Sequence, residues 1–286
     1  MSEVYLNGEF IPLEEACVPV MDRGFLFGDG VYEVIPVYGG RPFRLSQHME
    51  RLDNSLRSIR MENPLRPDAW ERIFARLIGS TADGDQLLYL QLTRGVDRIR
   101  NHLFPQGAEP TRLVMTWTLG PRDPDIAGTG LAAVVLEDNR WRRCDIKATA
   151  LLGNVLLRQE AQDAAATEAI LVHDGLVTEG SSTNPFIVQD GEILTPPVSN
   201  LLLRGVTRDL VLELARGADL PCAERQITRD ELETADEIWI SSSSREVQPI
   251  TLLDGKPVGA GVPGARWRQI DSLFQDYKAR LRSEDA

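Results

Sequence analysis

Leu119-Gly120-Pro121-Arg122-Asp123-Pro124-Asp125 interrupts a chain that otherwise alternates apolar strands with amphipathic helices. Proline and glycine break both kinds of element, and the added charge keeps the segment in water. The interruption therefore apportions the 286 residues: an N-terminal α/β domain over 1–118, a linker over 119–128 and a C-terminal domain over 129–286. On the N-terminal side, Asn7-Gly8 and Gly39-Gly40 separate short apolar runs as hairpin turns do. Leu45, Met49, Leu52, Leu56 and Ile59 recur at helical spacing, as do Trp70, Ile73, Phe74 and Leu77. Strands are predicted over 86–93 and 112–118. On the C-terminal side, strands over 131–136, 168–172 and 176–178 bracket a helix near 152–166. Asp174-Gly175, Asp190-Gly191 and Asp254-Gly255 are further hairpin turns, and Thr228 with Glu231 reads as a capping box. Trp267, Ile270, Leu273, Phe274 and Tyr277 stripe a terminal helix. The fold class is mixed α/β (α+β) in two domains.

Composition excludes several functions. A net charge of −12 argues against nucleic acid as partner. No apolar run approaches membrane-spanning length. Cys17, Cys144 and Cys222 are widely spaced and odd in number, which fits reduced thiols and a cytoplasmic location. No metal-binding pattern is present, because His48, His102 and His173 stand apart.

Lysine is scarce: Lys147, Lys256 and Lys278 are the only three, and the rest of the 31 basic side chains are arginines. Lys256 falls in a hairpin turn, and Lys278 is expected on the polar face of the terminal helix. Lys147 has no cation in the stretch that follows it, and a primary amine can form a Schiff base where guanidinium cannot. Alone, this leaves open a lysine that merely escaped replacement. Glu179, ending a strand before Gly180-Ser181-Ser182, is either a cleft acid facing a protonated ring nitrogen or a solvated turn glutamate. Gly205-Val206-Thr207 opens an amphipathic helix whose first amides suit a phosphate, although threonine is also an ordinary N-cap. Ser241 to Ser244 form a hydroxyl-rich exit from an apolar strand. Arg98, Arg100 and His102 suit a carboxylate, or a solvated basic loop. Tyr32 reads from pattern alone as a core or edge aromatic.

In chain order, several motifs resemble the fold-type IV pyridoxal-phosphate enzymes, the class IV aminotransferases. They are Asp22-Arg23-Gly24, Phe27 through Val34, His48-Met49-Glu50-Arg51-Leu52, Arg100-Asn101-His102-Leu103-Phe104-Pro105, Arg140 through Lys147, Thr178 through Ser182, Gly205 through Asp209 and Glu246-Val247-Gln248-Pro249. Within the family the likeness is greatest to the D-amino-acid aminotransferases. That resemblance implies a smaller N-terminal α/β domain and a larger C-terminal domain with a barrel-like sheet. It implies pyridoxal 5′-phosphate held by Lys147, with Glu179 at the ring nitrogen and Arg51, Val206, Thr207, Ser242 and Ser243 around the phosphate. Tyr32, Arg100 and His102 would trap the substrate carboxylate, with Arg98 able to share that contact. The expected reaction moves an amino group between a D-amino acid (D-alanine) and a 2-oxo acid (2-oxoglutarate). The expected assembly is a homodimer whose active site is shared across the interface. A branched-chain L-amino-acid aminotransferase and an aminodeoxychorismate lyase are the alternatives on this scaffold. Asn154, where the family has a smaller residue, bears on substrate range.

Overall fold

The computed structural model describes residues 3–80 and 84–283; the outermost residues of both domains as delimited above lie outside these. The chain forms two compact units. One comprises residues 1–121 with 146–151 and 281–286, and the other 122–145 with 152–280.

The first unit is a six-stranded sheet in the order β2-β1-β6-β5-β3-β4. Its strands are β1 (Glu3–Leu6), β2 (Glu9–Pro12), β3 (Gly30–Tyr38), β4 (Arg41–Pro42), β5 (Gln86–Thr93) and β6 (Thr111–Thr118). All pair antiparallel. Asn7 and Gly8 take positive φ between β1 and β2, and Gly39 and Gly40 do so between β3 and β4, as the hairpin reading requires. The short α1 (Arg23–Phe27), α2 (Leu45–Ser58) and α3 (Pro67–Ser80) complete the unit. Leu52 and Leu56 of α2 and Trp70, Phe74 and Leu77 of α3 are buried with Val31, Ile35, Leu88 and Leu90 of the sheet. Helical periodicity in the sequence thus locates the core faces of both helices correctly.

The second unit is built on nine strands, in the order β12-β11-β10-β13-β14-β7-β8-β9, with β15 beside β14. They are β7 (Leu131–Glu137), β8 (Glu168–His173), β9 (Leu176–Gly180), β10 (Asn184–Gln189), β11 (Glu192–Thr195), β12 (Cys222–Glu224), β13 (Glu237–Ser242), β14 (Glu246–Leu253) and β15 (Lys256–Pro257). β9 ends one side of this path, yet only residues 181–183 separate it from β10, and the Gly180 N–H donates to the Thr183 carbonyl (2.7 Å). The sheet must curl to bring these strands together, giving the barrel-like form expected. Five helices accompany it: α4 (Ile126–Thr129), α5 (Leu152–Asp163), α6 (Val206–Gly217), α7 (Arg229–Glu233) and α8 (Ala265–Ser283). Every residue of β8 from Glu168 to Val172 is buried, because both faces are covered. Ala169 and Leu171 pack with Leu157 and Ala161 of α5, while Ile170 and Val172 join a second apolar cluster with Ile187 and Ile238. The capping box at Thr228 and Glu231 opens α7 as read from the sequence.

One expectation fails here. Lys278 does not lie on a polar face: it is 5% exposed on the same stripe as Trp267, Ile270 and Phe274, and it ion-pairs with Glu246. The apolar periodicity places position 278 inward, and β14 supplies the carboxylate that makes a buried ammonium tolerable.

Candidate active site

Lys147 is placed by strand pairing. Although it lies in sequence between β7 and α5, its segment runs along the edge of β3. The Tyr32 N–H donates to the Lys147 carbonyl (3.0 Å), and the Thr149 N–H to the Gly30 carbonyl (3.0 Å), around a bridge between Val31 and Ala148. The Thr149 hydroxyl donates to the Gly28 carbonyl (3.0 Å), and the Lys147 N–H donates to Ser55 Oγ on α2 (3.2 Å). The segment is therefore tied at several points to one rigid sheet. Lys147 Nζ sits 4.2 Å from the centre of the Tyr32 ring, so those two residues are neighbours.

Arg51 belongs to a largely buried polar set between β3 and α2. Strand alternation turns Glu33 inward with Val31 and Ile35, and α2 presents His48 and Arg51 to it. Arg51 donates through Nε to Glu33 Oε1 (2.8 Å) and through Nη2 to Oε2 (2.7 Å), while His48 Nδ1 donates to Oε2 (2.8 Å). Burial alone would raise the Glu33 pKa; the charge and hydrogen bonds of Arg51, with His48, bring it down to about 2. Burial also lowers the His48 pKa, aided by the cations Arg51 and Lys147 and opposed by Glu33. A neutral His48 and an ionised Glu33 thus set the orientation of Arg51.

Arg98, Arg100 and His102 lie on the long connection between β5 and β6, and all three are exposed. The Phe27 ring packs against two of them, with the Arg100 guanidinium 4.8 Å and the His102 ring 5.3 Å from its centre.

In the second unit, Glu179 is no turn residue: it lies within β9 and is 6% exposed. Arg140 Nη1 donates to its Oε1 (2.6 Å) and the Leu203 N–H to its Oε2 (2.9 Å). Asp138 holds Arg140 through Nε (2.8 Å) and Nη2 (2.7 Å) and accepts from the Thr178 hydroxyl (2.9 Å). Burial pushes the Glu179 carboxyl up to about 7, with Arg140 and the Leu203 amide opposing. It is poised to change charge near neutrality, and a facing cation would draw it down.

Helix α6 starts at Val206 with Gly205 as N-cap, and no side chain caps its first amides. Thr207 is therefore not the cap; it lies in the first turn, 2% exposed. Asn184 fixes the approach to this helix by donating to the Leu203 carbonyl (2.8 Å), and a Cβ on Gly205 would meet Asn184 Oδ1 at 2.1 Å. Ser242 ends β13 and accepts from the Arg245 N–H (3.2 Å), and Ser243 begins the following turn. Asn154 Nδ2 donates to the Ser181 carbonyl (2.8 Å), so it braces the turn after Glu179.

The family description Amino-transferase class IV matches residues 30–253. The D-alanine aminotransferase of Bacillus licheniformis is 39% identical over 274 residues, 96% of each chain. The chain belongs to the class IV aminotransferases. Among solved structures of this family, the Escherichia coli branched-chain amino acid aminotransferase superposes with a TM-score of 0.91 at 26% identity, covering 99% of this chain and 96% of that one. A branched-chain amino acid aminotransferase from T.th., solved with pyridoxamine 5′-phosphate, gives 0.89 at 26% identity, covering 99% and 95%.

For a class IV aminotransferase read from sequence alone, two residues escape notice although their signals are present. Glu33 is an acid at an inward position of an apolar strand, and His48 interrupts the apolar stripe of α2. Each asks for a buried partner, and they answer one another. Arg140 and Asp138 carry no comparable signal, because they lie beyond the end of β7 where exposed charge is ordinary.

Proposed function

We propose that this aminotransferase acts on D-amino acids, with D-alanine as donor and 2-oxoglutarate as acceptor, using pyridoxal 5′-phosphate. The near-full-length likeness to a D-alanine aminotransferase carries the reading, since the branched-chain enzymes share the fold at only 26% identity.

The residues present fit that cofactor. The uncapped first turn of α6, with buried Val206 and Thr207, suits a phosphate, and Ser242 and Ser243 add hydroxyls. Arg51, aimed by Glu33, would supply a cation to the same group. Each oxygen of Glu179 accepts one strong bond and retains a lone pair for a ring N–H.

When bound, pyridoxal phosphate supplies an aldehyde and a ring that withdraws electrons from the substrate's Cα. Lys147 would hold that aldehyde through Nζ, then, once released, accept the Cα proton and deliver it back as general base and general acid. The Tyr32 ring beside Nζ limits the directions from which a proton can reach it. Glu179 would keep the ring nitrogen protonated; Arg140 opposes the upward push of burial on its carboxyl, and the ring N–H cation would draw it down further for that task. Arg100 and His102 would fix the substrate carboxylate, so that hydrogen rather than side chain faces Lys147. The amino group leaves the donor in one half-reaction and enters the acceptor in the second, which gives ping-pong kinetics.

A homodimer is part of this reading, with the Arg100 loop serving the partner's site. Exposed Phe25, Ile99 and Leu103 in the first unit, and Leu152, Val155 and Leu156 on one face of α5 in the second, support an apolar contact with another copy. A cytoplasmic location is supported by the three free cysteines.

The branched-chain L-amino-acid reading is favoured by the 0.91 superposition alone. Assays of paired D- and L-amino acids with 2-oxoglutarate decide between the two. D-Alanine turnover is expected; L-leucine or L-valine turnover without it overturns the proposal.

A further inference from the structure

Arg23, in the motif Asp22-Arg23-Gly24, is 3% exposed and lies outside every role assigned above. Both ends of its guanidinium fork are taken up by a single loop. Nη1 donates to the carbonyls of Asn101 (2.5 Å) and Leu103 (3.1 Å), and Nη2 to that of His102 (3.4 Å). Nε donates to Asp29 (2.8 Å), which also receives Nε (2.8 Å) and Nη2 (3.0 Å) of Arg94. Arg94 in turn lies 3.8 Å over the Phe104 ring, just beyond the clamped carbonyls of the same loop.

The base of this clamp is rigid. Asp22 caps α1 by accepting from the Gly24 N–H (2.7 Å), and it accepts from the hydroxyls of Thr93 (2.8 Å) and Thr111 (2.5 Å), where the loop leaves β5 and enters β6. A Cβ on Gly24 would lie 2.3 Å from Thr93 Cγ2, so only glycine fits there. Three successive carbonyls, of residues 101–103, are thus turned onto one buried cation, while the side chains of Arg100 and His102 remain exposed beside the Phe27 ring. Residues 94–110 contain no helix or named strand, so without such a fixture the loop's ordering entropy would fall on substrate binding.

We propose that Arg23 is a positioning residue that holds the Arg100–His102 loop in its carboxylate-binding conformation before substrate arrives. This rests on the reading of Arg100 and His102 as the carboxylate trap. Arg23→Lys keeps a cation for Asp29 but cannot offer a planar fork to three carbonyls. The KM for D-alanine and for 2-oxoglutarate should each rise about tenfold, since small displacements of positioning groups are costly. The kcat should stay within about twofold, and the cofactor absorbance should be unchanged, because these depend on groups the clamp does not touch.

A double-mutant cycle with Arg100→Ala separates the clamp from a general loss of structure. If the clamp acts through Arg100, Arg23→Lys adds little to the KM of Arg100→Ala; additive effects overturn the proposal. A raised KM in Arg100→Ala with an unchanged KM in Arg23→Lys overturns the clamp alone. An unchanged KM in Arg100→Ala overturns the trap reading and the clamp with it. Limited trypsin treatment gives a readout independent of substrate: cleavage at Arg98 and Arg100 should be faster in Arg23→Lys than in the unaltered enzyme, and equal rates refute a held loop.

Discussion

Glu33 and Glu179 are buried acids shifted in opposite directions, so they give opposite pH signatures. The Glu33 pKa falls from 4.5 to about 2, hence its contribution is complete above pH 4.5 and disappears as pH drops toward 2. That contribution is about 3 kcal/mol, as order of magnitude. Glu33→Gln should flatten the acid limb of a urea-denaturation series and leave Arg51 short of its counter-charge. The Glu179 pKa rises to about 7, so the folded state binds the extra proton between 4.5 and 7. Stability of the cofactor-free protein should therefore decline across that interval and level off above it. Denaturation midpoints of Glu179→Gln should lack this slope; persistence of the slope would assign it to another group. At Lys147 itself, replacement by alanine should lower transamination by at least about 10³, in line with loss of a positioned acid–base group. Borohydride reduction of the unaltered enzyme should leave a pyridoxyl adduct on that side chain.

Among the elements, α6 offers the cleanest test of space. Gly205 has φ −75°, which any residue can adopt, so its constraint is the Asn184 side chain and not backbone freedom. Gly205→Ala should displace the helix start, costing about 1–3 kcal/mol as overpacking does, and weaken pyridoxal phosphate retention on dilution. Periodicity in the sequence was enough to place the core faces of α2 and α3 and the hairpins at Asn7, Asp174 and Asp190, since local sterics and burial dictate these. The curl of the nine-stranded sheet was legible only through family resemblance, because strand order depends on pairings remote in sequence. For the same reason no pattern announces that Leu203 caps Glu179, or that residues 146–151 pair with β3. At Lys278 position on the stripe outranks residue type: the lysine turns inward because Glu246 meets it there.

Across the whole molecule, a net charge of −12 repels the anionic acceptor that the proposed reaction needs. The exposed arginines Arg98 and Arg100 supply a local field of the opposite sign. Such a field is screened within about 10 Å at 0.1 M salt. The KM for 2-oxoglutarate should therefore rise with ionic strength more steeply than that for zwitterionic D-alanine. Arg98→Ala should reduce that slope, since it removes part of the local field; an unaltered slope would show that Arg98 contributes nothing to it.

The bridge between Val31 and Ala148 joins residues more than a hundred positions apart, across a stretch assigned to the other unit. Refolding must close this long circuit before the Lys147 amine reaches the place proposed for it, and loop-closure entropy makes contacts of such separation slow to form. Recovery of yellow colour with added cofactor should then lag recovery of helical circular dichroism. A nascent chain would acquire most of its architecture while still chemically inert.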